Sequence, residues 1–221
     1  MNYTEFIVQY WPRFLIGTGI TLAQFALAAS LGIVISISMG LLKLSQNRFL
    51  KTAAVTYIEI FRGTSLLVQL YWIFFVLPLF GLTIDKFSAG YLAVGMNIGA
   101  YGAELVRGGI LSVPKGQWEA ALAINMTPYQ RMKRIILPQA LVNILPPWGN
   151  LMIELLKGTA LVSLISVTDL MFEAKQINGT TFLSAQVFGT ALIIYYVLAR
   201  FLVTPAMQRL ETVAARKMGR T

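Results

Sequence analysis

The chain has 221 residues, of which 57% are hydrophobic and only 12% are charged. A soluble domain typically carries about 25% charged residues, so this composition indicates an integral membrane protein. The net charge of +9 does not indicate a nucleic-acid partner, because the basic residues lie in short loops beside apolar runs, without a groove of stacking aromatics. Since the chain has no Cys and no His, we expect no disulfide, no catalytic residues and no metal site.

Five apolar segments predict an all-α protein with five transmembrane helices in a single domain, residues 1–221. A helix needs roughly 20 apolar residues to cross the hydrocarbon core. Residues 1–13, which are rich in aromatics, predict a short separate helix at the membrane interface. The pair Pro146-Pro147 predicts a bend or break in the fourth span. The predicted spans are 14–42, 53–80, 89–108, 141–168 and 185–204, with a polar connection and possible short helix at 169–184 and a basic tail at 208–221.

The distribution of basic residues predicts the orientation. Arg13, Lys86 and Lys175 fall on one side of the five spans. The other fifteen of the 18 Lys and Arg fall on the opposite side or at helix ends that face it, except Lys157, which lies within a span. Cytoplasmic loops are enriched in Lys and Arg, so we expect the N-terminus outside and the C-terminus in the cytoplasm.

The longest polar interruption of the apolar chain is the segment Ser112–Ala140. Its first half predicts a short amphipathic helix that starts after Pro114, with Glu119 in the first turn, where the helix dipole favours a carboxylate. A second helix is predicted from Pro128, with Thr127 as its N-cap. Composition alone fits an ordinary basic cytoplasmic loop. The spacing predicts a helix-turn-helix exposed to water.

Polar and ionisable side chains inside a bilayer are costly and usually face a cavity or a partner group. Here they follow single helix faces in the second, third and fourth spans, which predicts a shared polar core. They form either a solute pathway or structural pairs, such as Glu154 with Lys157 and Arg62 with Glu59 or Glu104. The third span is also rich in glycine, which predicts close helix contact. The three stripes are Glu59, Arg62 and Gln69 with Thr64, Ser65 and Trp72; Asn97, Tyr101 and Glu104; and Asn150, Glu154 and Lys157.

Within the polar segment, Glu119-Ala120-Ala121 followed by Ile135 and Leu137-Pro138 resembles the EAA motif of ABC importer permease subunits. The flanking sequences, Val113 to Trp118 and Ile136 to Ala140, are similar to the polar amino acid branch of that family, which includes histidine, glutamine and arginine importers. One position departs, because the family usually has glycine where this chain has Asn125. Asparagine also adopts left-handed backbone readily, so the turn is expected to survive.

The resemblance extends over most of the chain. Three further blocks are similar to recurring blocks of polar amino acid permeases, although Gly158 and Ala160 depart from the commonest version of the last one. Together with the run Asn97 to Glu104, they most resemble the branch that carries ectoine and hydroxyectoine. The blocks are Phe61-Arg62-Gly63-Thr64 with Val68-Gln69, Ala100 to Glu104 with Arg107 to Ile110, and Leu155 to Thr159 with Leu161 to Ser163.

This resemblance implies the type I ABC importer permease fold in the bacterial inner membrane, with a cytoplasmic coupling helix between spans three and four. It implies three kinds of partner: a second permease subunit, identical or not, a dimer of ABC ATPase subunits, and an extracytoplasmic solute-binding protein. The chain has no GxxxxGK[ST] phosphate loop, so we expect no enzyme activity and no cofactor in it. ATP and Mg would be held by the ATPase, and the solute would be a small polar zwitterion.

The same resemblance implies roles for individual residues. The helix around Glu119 would dock in a groove of the ATPase and convert its closure into alternating access. Lys157 would receive a solute carboxylate, and Glu154 or Glu104 would receive its ammonium group. The implied coupling residues are Gly116, Trp118, Glu119, Ala120, Ala121, Ala123 and Asn125. The predicted solute pathway contains Gln69, Trp72, Asn97, Tyr101, Glu104, Glu154, Lys157, Thr159 and Ser163.

The alternative function is a secondary transporter or channel that acts without an ATPase. We place it second, because many secondary transporters are built from repeated halves and no internal repeat is visible here. A membrane enzyme is disfavoured by the lack of paired carboxylates or a Ser-x-x-Lys motif. A purely structural scaffold does not explain charges within spans.

Overall fold

The computed structural model describes residues 2–217, in which every regular element is helical. Met1 and residues 218–221, which end the predicted basic tail, lie outside the described residues. The α-helices are α1 (Tyr3–Lys43), α2 (Arg48–Gly63), α3 (Leu66–Tyr71), α4 (Lys86–Leu111), α5 (Lys115–Ala123), α6 (Pro128–Arg131), α7 (Leu137–Gly158), α8 (Leu170–Thr181), α9 (Ser184–Val197) and α10 (Thr204–Lys217). Some are extended by π-helical turns at Trp72–Val76, Met132–Ile136 and Leu198–Val203 and by 3-10 segments at Leu77–Phe80 and Thr159–Ile165.

Within the described residues, three continuous helical stretches are long and apolar enough to cross a membrane: Tyr3–Lys43, Pro128–Ile165 and Ser184–Arg216. The pair Arg48–Gly63 and Leu66–Phe80 meets the same criterion together, although the two helices are bent by 105°. The glycine-rich α4, 26 residues long, is not among them, but more than half of its residues are buried in the centre of the fold. The count of five spans therefore stays a prediction.

The prediction of a separate interfacial helix at residues 1–13 is wrong. α1 begins at Tyr3, behind a capping box between Asn2 and Glu5, and continues through Pro12 without a break. The first turns of α1 are held by tertiary contacts that the local sequence does not reveal. Phe6 and Phe14 are fully buried in a small second core against α8 and α9.

Close packing of α1 against α4 forms the centre of the fold, as the glycines of the third span predict. Ser36 on α1 is fully buried, and its hydroxyl donates to the carbonyl oxygens of Gly32 (2.6 Å) and Gly99 (3.1 Å). A Cβ atom on Gly102 would lie 2.1 Å from the Ser36 Oγ atom and 2.6 Å from the Trp148 ring. Only a residue without a side chain fits here, so glycine sets the distance between the two helices.

The second predicted span, 53–80, is not one straight helix. α2 ends at Gly63, Thr64 adopts extended backbone, and α3 starts at Leu66 after the bend. The break exposes carbonyl groups that need hydrogen-bond donors inside a bilayer. The Gln69 amide donates to the carbonyl oxygens of Phe61 (2.9 Å) and Thr64 (3.3 Å) and to the Thr64 hydroxyl (2.7 Å). The polar residues at this level therefore stabilise the bend.

The predicted break at Pro146-Pro147 is also wrong. α7 runs through both prolines as a regular helix and changes form only after Gly158, where the 3-10 segment Thr159–Ile165 follows. Prolines are tolerated in such a helix when packed neighbours hold it in place. Trp148 and Gly149, directly after the prolines, are buried, and the side chain of Met207 on α10 lies beside Gly149.

The polar connection after the fourth span contains the predicted short helix, α8, which is tied to α1. The Asp169 carboxylate caps α8 by accepting from the Phe172 N–H at 2.8 Å. The Leu170 N–H donates to the Thr21 hydroxyl at 3.1 Å. Arg13 forms a salt bridge to Glu173 at 2.7 Å. These contacts make α8 part of the packed body of the protein.

Asp169, which caps α8 in the connection between the apolar helices, provides a test of how α8 is held. Burial raises the pKa of its carboxyl group from 3.8 to about 6, although the Phe172 N–H, the Tyr195 hydroxyl and Lys175 oppose the shift. The folded state therefore binds this proton more tightly than the unfolded chain. The stability that Asp169 contributes is present below its ordinary pKa of 3.8 and is lost as the pH rises through about 6.

We expect Asp169→Asn to raise the unfolding temperature at about pH 7.5, because asparagine caps a helix without an ionisable group. The free-energy difference is on the order of 2–3 kcal/mol at neutral pH and shrinks towards about pH 5. Thermal unfolding of the detergent-purified protein at both pH values measures it. A difference between variant and wild type that does not depend on pH would contradict the assignment.

Candidate solute cleft and coupling helix

The helix-turn-helix predicted for the long polar segment is present as α5 and α6. Pro114 occupies the N-cap position of α5, so Glu119 lies beyond the first turn rather than within it as predicted. Thr127 caps α6 through a reciprocal capping box with Gln130. Asn125, which stands where the resembling family has glycine, adopts a left-handed backbone with φ 55°. The following N–H, that of Met126, donates to the Ala121 carbonyl oxygen at 3.0 Å, so asparagine makes the turn as predicted.

The predicted coupling residues lie on two faces of α5, except Asn125, which lies in the turn that follows. Ala121 is buried with 3% exposure, and Trp118 is half-buried beneath the guanidinium of Arg131 at 5.6 Å. These two residues hold α5 against the helix that follows. The residues that remain exposed form a different stripe, with small side chains around one carboxylate: Gly116, Glu119, Ala120 and Ala123.

The connection between α6 and the fourth span is continuous helix. From Pro128, the chain passes through the π-helical turn Met132–Ile136 into α7 and on to Ile165, a stretch of 38 residues. The Gln139 amide donates to the Gln117 side-chain oxygen at 3.0 Å. The Asn143 amide donates to the Ser112 hydroxyl at 2.9 Å. These bonds link α5, and the residue that caps the end of α4, to α7.

Four of the predicted pathway residues lie together in an open cleft of about 510 Å³ between α3, α4 and the end of α7. Asn97 and Tyr101 come from α4, and Glu154 and Lys157 come from α7. The Lys157 ammonium donates to Glu154 at 3.3 Å, and both side chains are about two-thirds exposed. Leu66, Ile98, Leu151 and Leu161 provide apolar walls. This volume and mixed lining suit a small polar solute.

Gln69 and Trp72 lie beside this cleft. The Asn97 amide donates to Gln69 at 3.0 Å and to the Phe61 carbonyl oxygen at 3.0 Å. Asn97 thus belongs both to the cleft wall and to the hydrogen bonds of the α2–α3 bend. Trp72 and Gln69 line a neighbouring apolar pocket of about 570 Å³.

Glu104, another predicted pathway residue, forms salt bridges outside this cleft. Its carboxylate binds Lys43 of α1 at 2.5 Å and Arg107 of α4 at 3.0 Å, and its side chain is only 18% exposed. Glu104 does not line the cleft that holds Asn97, Tyr101, Glu154 and Lys157. In this conformation, Glu104 joins the end of α1 to α4.

Thr159 and Ser163 lie in the 3-10 segment and are buried. The Thr159 hydroxyl donates to the Leu156 carbonyl oxygen at 2.6 Å, and the Ser163 hydroxyl donates to the Ala160 carbonyl oxygen at 2.8 Å. Lys175 of α8 reaches Ser163 at 3.0 Å, a contact that the sequence did not predict. No local pattern could reveal it, because the two residues lie on different elements.

The comparison with known families decides the identity of the chain. Residues 32–212 match the family described as binding-protein-dependent transport system inner membrane component. The chain belongs to this family.

Relatives narrow the family to ABC permeases of the inner membrane. The permease is 44% identical over 189 residues to a probable amino-acid ABC transporter permease protein of Sinorhizobium fredii, covering 83% of this chain and 79% of the relative. It is 39% identical over 170 residues to the L-cystine transport system permease protein of Bacillus subtilis, covering 77% and 73%. Such proteins are transport components rather than enzymes.

A solved structure agrees with the fold. The permease superposes on the crystal structure of an amino acid ABC transporter with histidines, with a TM-score of 0.86 and 37% sequence identity. The match covers 98% of the permease and 99% of that chain. The permease therefore has the all-helical fold of ABC importer permeases.

Proposed function

We propose that this permease is the membrane-spanning subunit of an ATP-driven importer for polar amino acids, with a second permease, an ATPase dimer and a solute-binding protein as partners. The observation that carries the mechanism is the continuous helix from Pro128 to Ile165. Its first residues pack against α5, and its residues Glu154 and Lys157 line the cleft. One continuous helical stretch therefore joins the α5–α6 segment to the solute cleft.

The exposed face of α5 is proposed to dock in a groove of the ATPase. Gly116, Ala120 and Ala123 have short or absent side chains, which permits close approach, and Glu119 supplies one charge for pairing. ATP and Mg would bind only to that partner. When the ATPase subunits close, α5 moves with them, and α7 changes the access to the cleft. This arrangement requires α5 to face the cytoplasm, together with five spans and an external N-terminus.

The chemistry of the cleft supports a zwitterionic solute. Glu154 offers a carboxylate for an ammonium group, and the amide of Asn97 and the hydroxyl of Tyr101 offer neutral hydrogen bonds. Amino acids are favoured because both relatives and the superposed structure are described as amino acid or cystine transporters. Their descriptions do not mention ectoine or hydroxyectoine, so that narrower assignment stays a prediction from the sequence alone.

Uptake into proteoliposomes tests the proposal. The complete importer is reconstituted and supplied with radiolabelled histidine, glutamine, arginine, cystine or ectoine together with its binding protein. We expect uptake of at least one amino acid that depends on ATP and on the ATPase subunit. Uptake by the permease alone would support the alternative of a secondary transporter or channel. Uptake of ectoine but none of the amino acids would restore the narrower assignment.

A further inference from the structure

Arg62 is a cation at the edge of the cleft that the predicted pathway does not include. It lies in the last turn of α2, directly before the bend, and is exposed. Its guanidinium carbon is 5.3 Å from the centre of the Tyr101 ring, and Tyr101 lines the cleft. The Tyr101 hydroxyl donates to the Arg62 carbonyl oxygen at 3.4 Å. Arg62 is thus held beside the cleft through its backbone and through the aromatic ring.

The carboxylates that could neutralise Arg62 do not do so. Among the described residues, the salt bridges of Glu104 are to Lys43 and Arg107. Glu59, one turn before Arg62, forms no salt bridge with it in the described part of the chain. Both structural pairs considered for Arg62 from the sequence are therefore absent. A charge within a membrane protein normally faces a partner or a cavity. Arg62 lies beside Tyr101, which lines the cleft.

Lys157 is a weaker candidate than Arg62 for binding a solute carboxylate. The Lys157 ammonium is a point charge on a flexible side chain that is 64% exposed. The planar guanidinium of an arginine, by contrast, presents paired N–H donors that match the two oxygens of a carboxylate. In this chain the Arg62 guanidinium also lies over the Tyr101 ring, and this contact favours a fixed orientation of the guanidinium plane.

We propose that Arg62 binds the carboxylate of the transported solute and thereby sets the requirement for a carboxylate in the cleft. This inference rests on the proposed import of amino acids. The solute would lie with its carboxylate towards the α2–α3 bend and its ammonium group towards Glu154. Arg62 would then move with the bend, so that binding of the carboxylate depends on the angle between α2 and α3.

The test measures binding to the purified permease–ATPase complex in detergent, without the binding protein. The probes are L-histidine, L-arginine and L-glutamine, each compared with its α-carboxamide, which lacks the carboxylate charge. For Arg62→Gln we expect the affinity for the amino acids to fall about 10- to 100-fold, as for a lost hydrogen-bonded charge, and the affinity for the carboxamides to change less than about threefold. Arg62→Lys keeps the positive charge, so its affinity for the amino acids should lie between those of the wild type and of Arg62→Gln. Glu59→Gln, on the same helix, is the control and should leave both affinities unchanged.

The outcomes separate this inference from the proposed function. Equal losses for acids and carboxamides in Arg62→Gln would overturn the inference and assign a structural role. An unchanged acid preference, with permease subunits that separate on gel filtration, would show that Arg62 pairs with a second permease, and would also overturn it. Binding of none of the three amino acids by the wild type would overturn it as well. ATP-driven uptake by the wild-type importer is measured in parallel, and its absence contradicts the proposed function itself.

Discussion

Replacing Ala123 with tryptophan should abolish ATP-driven uptake and leave the permease folded. Ala123 lies on the exposed stripe of α5 with Glu119 and Ala120, so a large ring there separates α5 from the proposed ATPase groove. We expect uptake to fall by about 100-fold or more, equivalent to a loss of about 3 kcal/mol of coupling. The unfolding temperature of the isolated permease should hardly change, because the side chain points to solvent. Proteoliposome uptake and detergent thermal unfolding are the two measurements.

Two further substitutions test whether the loss of uptake depends on the exposed face of α5. Ala206→Trp places the same ring on an exposed position of α10 and should leave uptake intact. Ala121→Trp lies on the buried face of α5 and should lower the unfolding temperature as well as uptake, because the ring does not fit between α5 and the next helix. Normal uptake by an Ala123→Trp importer that assembles at the wild-type level would argue strongly against docking through this face.

Gly102→Ala should destabilise the permease by about 3 kcal/mol. The added Cβ atom would stand 2.1 Å from the Ser36 hydroxyl oxygen and 2.6 Å from the Trp148 ring, and both groups are buried. α1, α4 and α7 would have to separate locally, which also breaks the hydrogen bonds that Ser36 makes. The expected result is a lower yield of monodisperse protein and a markedly lower unfolding temperature in detergent.

Gly108→Ala is the matched control in the same helix, because nothing lies within 4 Å of the added atom. Alanine has the higher helix propensity, so this variant should be as stable as wild type or more stable by up to about 1 kcal/mol. If both alanine variants behaved alike, the close contact between α1 and α4 would not be a determinant of stability.

Much of the fold was predictable because its causes are local. The low charge and long apolar runs indicated membrane helices, and the connection after the fourth span was expected to hold a helix, which is α8. The helix-turn-helix was predicted from Pro114, Thr127 and Pro128, whose effects on helix starts act within one or two turns. The left-handed backbone of Asn125 was expected because the resembling family has glycine at this position and asparagine adopts this conformation readily.

The errors have a common cause. Residues 1–13 were expected to form a short separate helix and Pro146-Pro147 to bend or break the fourth span, but α1 and α7 continue through these stretches because other helices pack against them. The opposite happens at Gly63 to Ser65, where an apolar run bends by 105° because Gln69 and Asn97 satisfy the freed backbone groups. Proline can be tolerated and an apolar run can be broken when a distant residue supplies the missing contact.

The candidate site shows the same division. The sequence by itself determined which residues are polar within apolar helices and which of them share a helix face, because helical periodicity fixes that geometry. Only the tertiary structure decided their partners: Glu104 with Lys43, Ser163 with Lys175, and Arg62 beside Tyr101. It also decided which face of α5 is exposed. Partner choice depends on how separate helices lie against one another, and that arrangement is set by many close contacts such as Gly102 against Ser36 rather than by any local pattern.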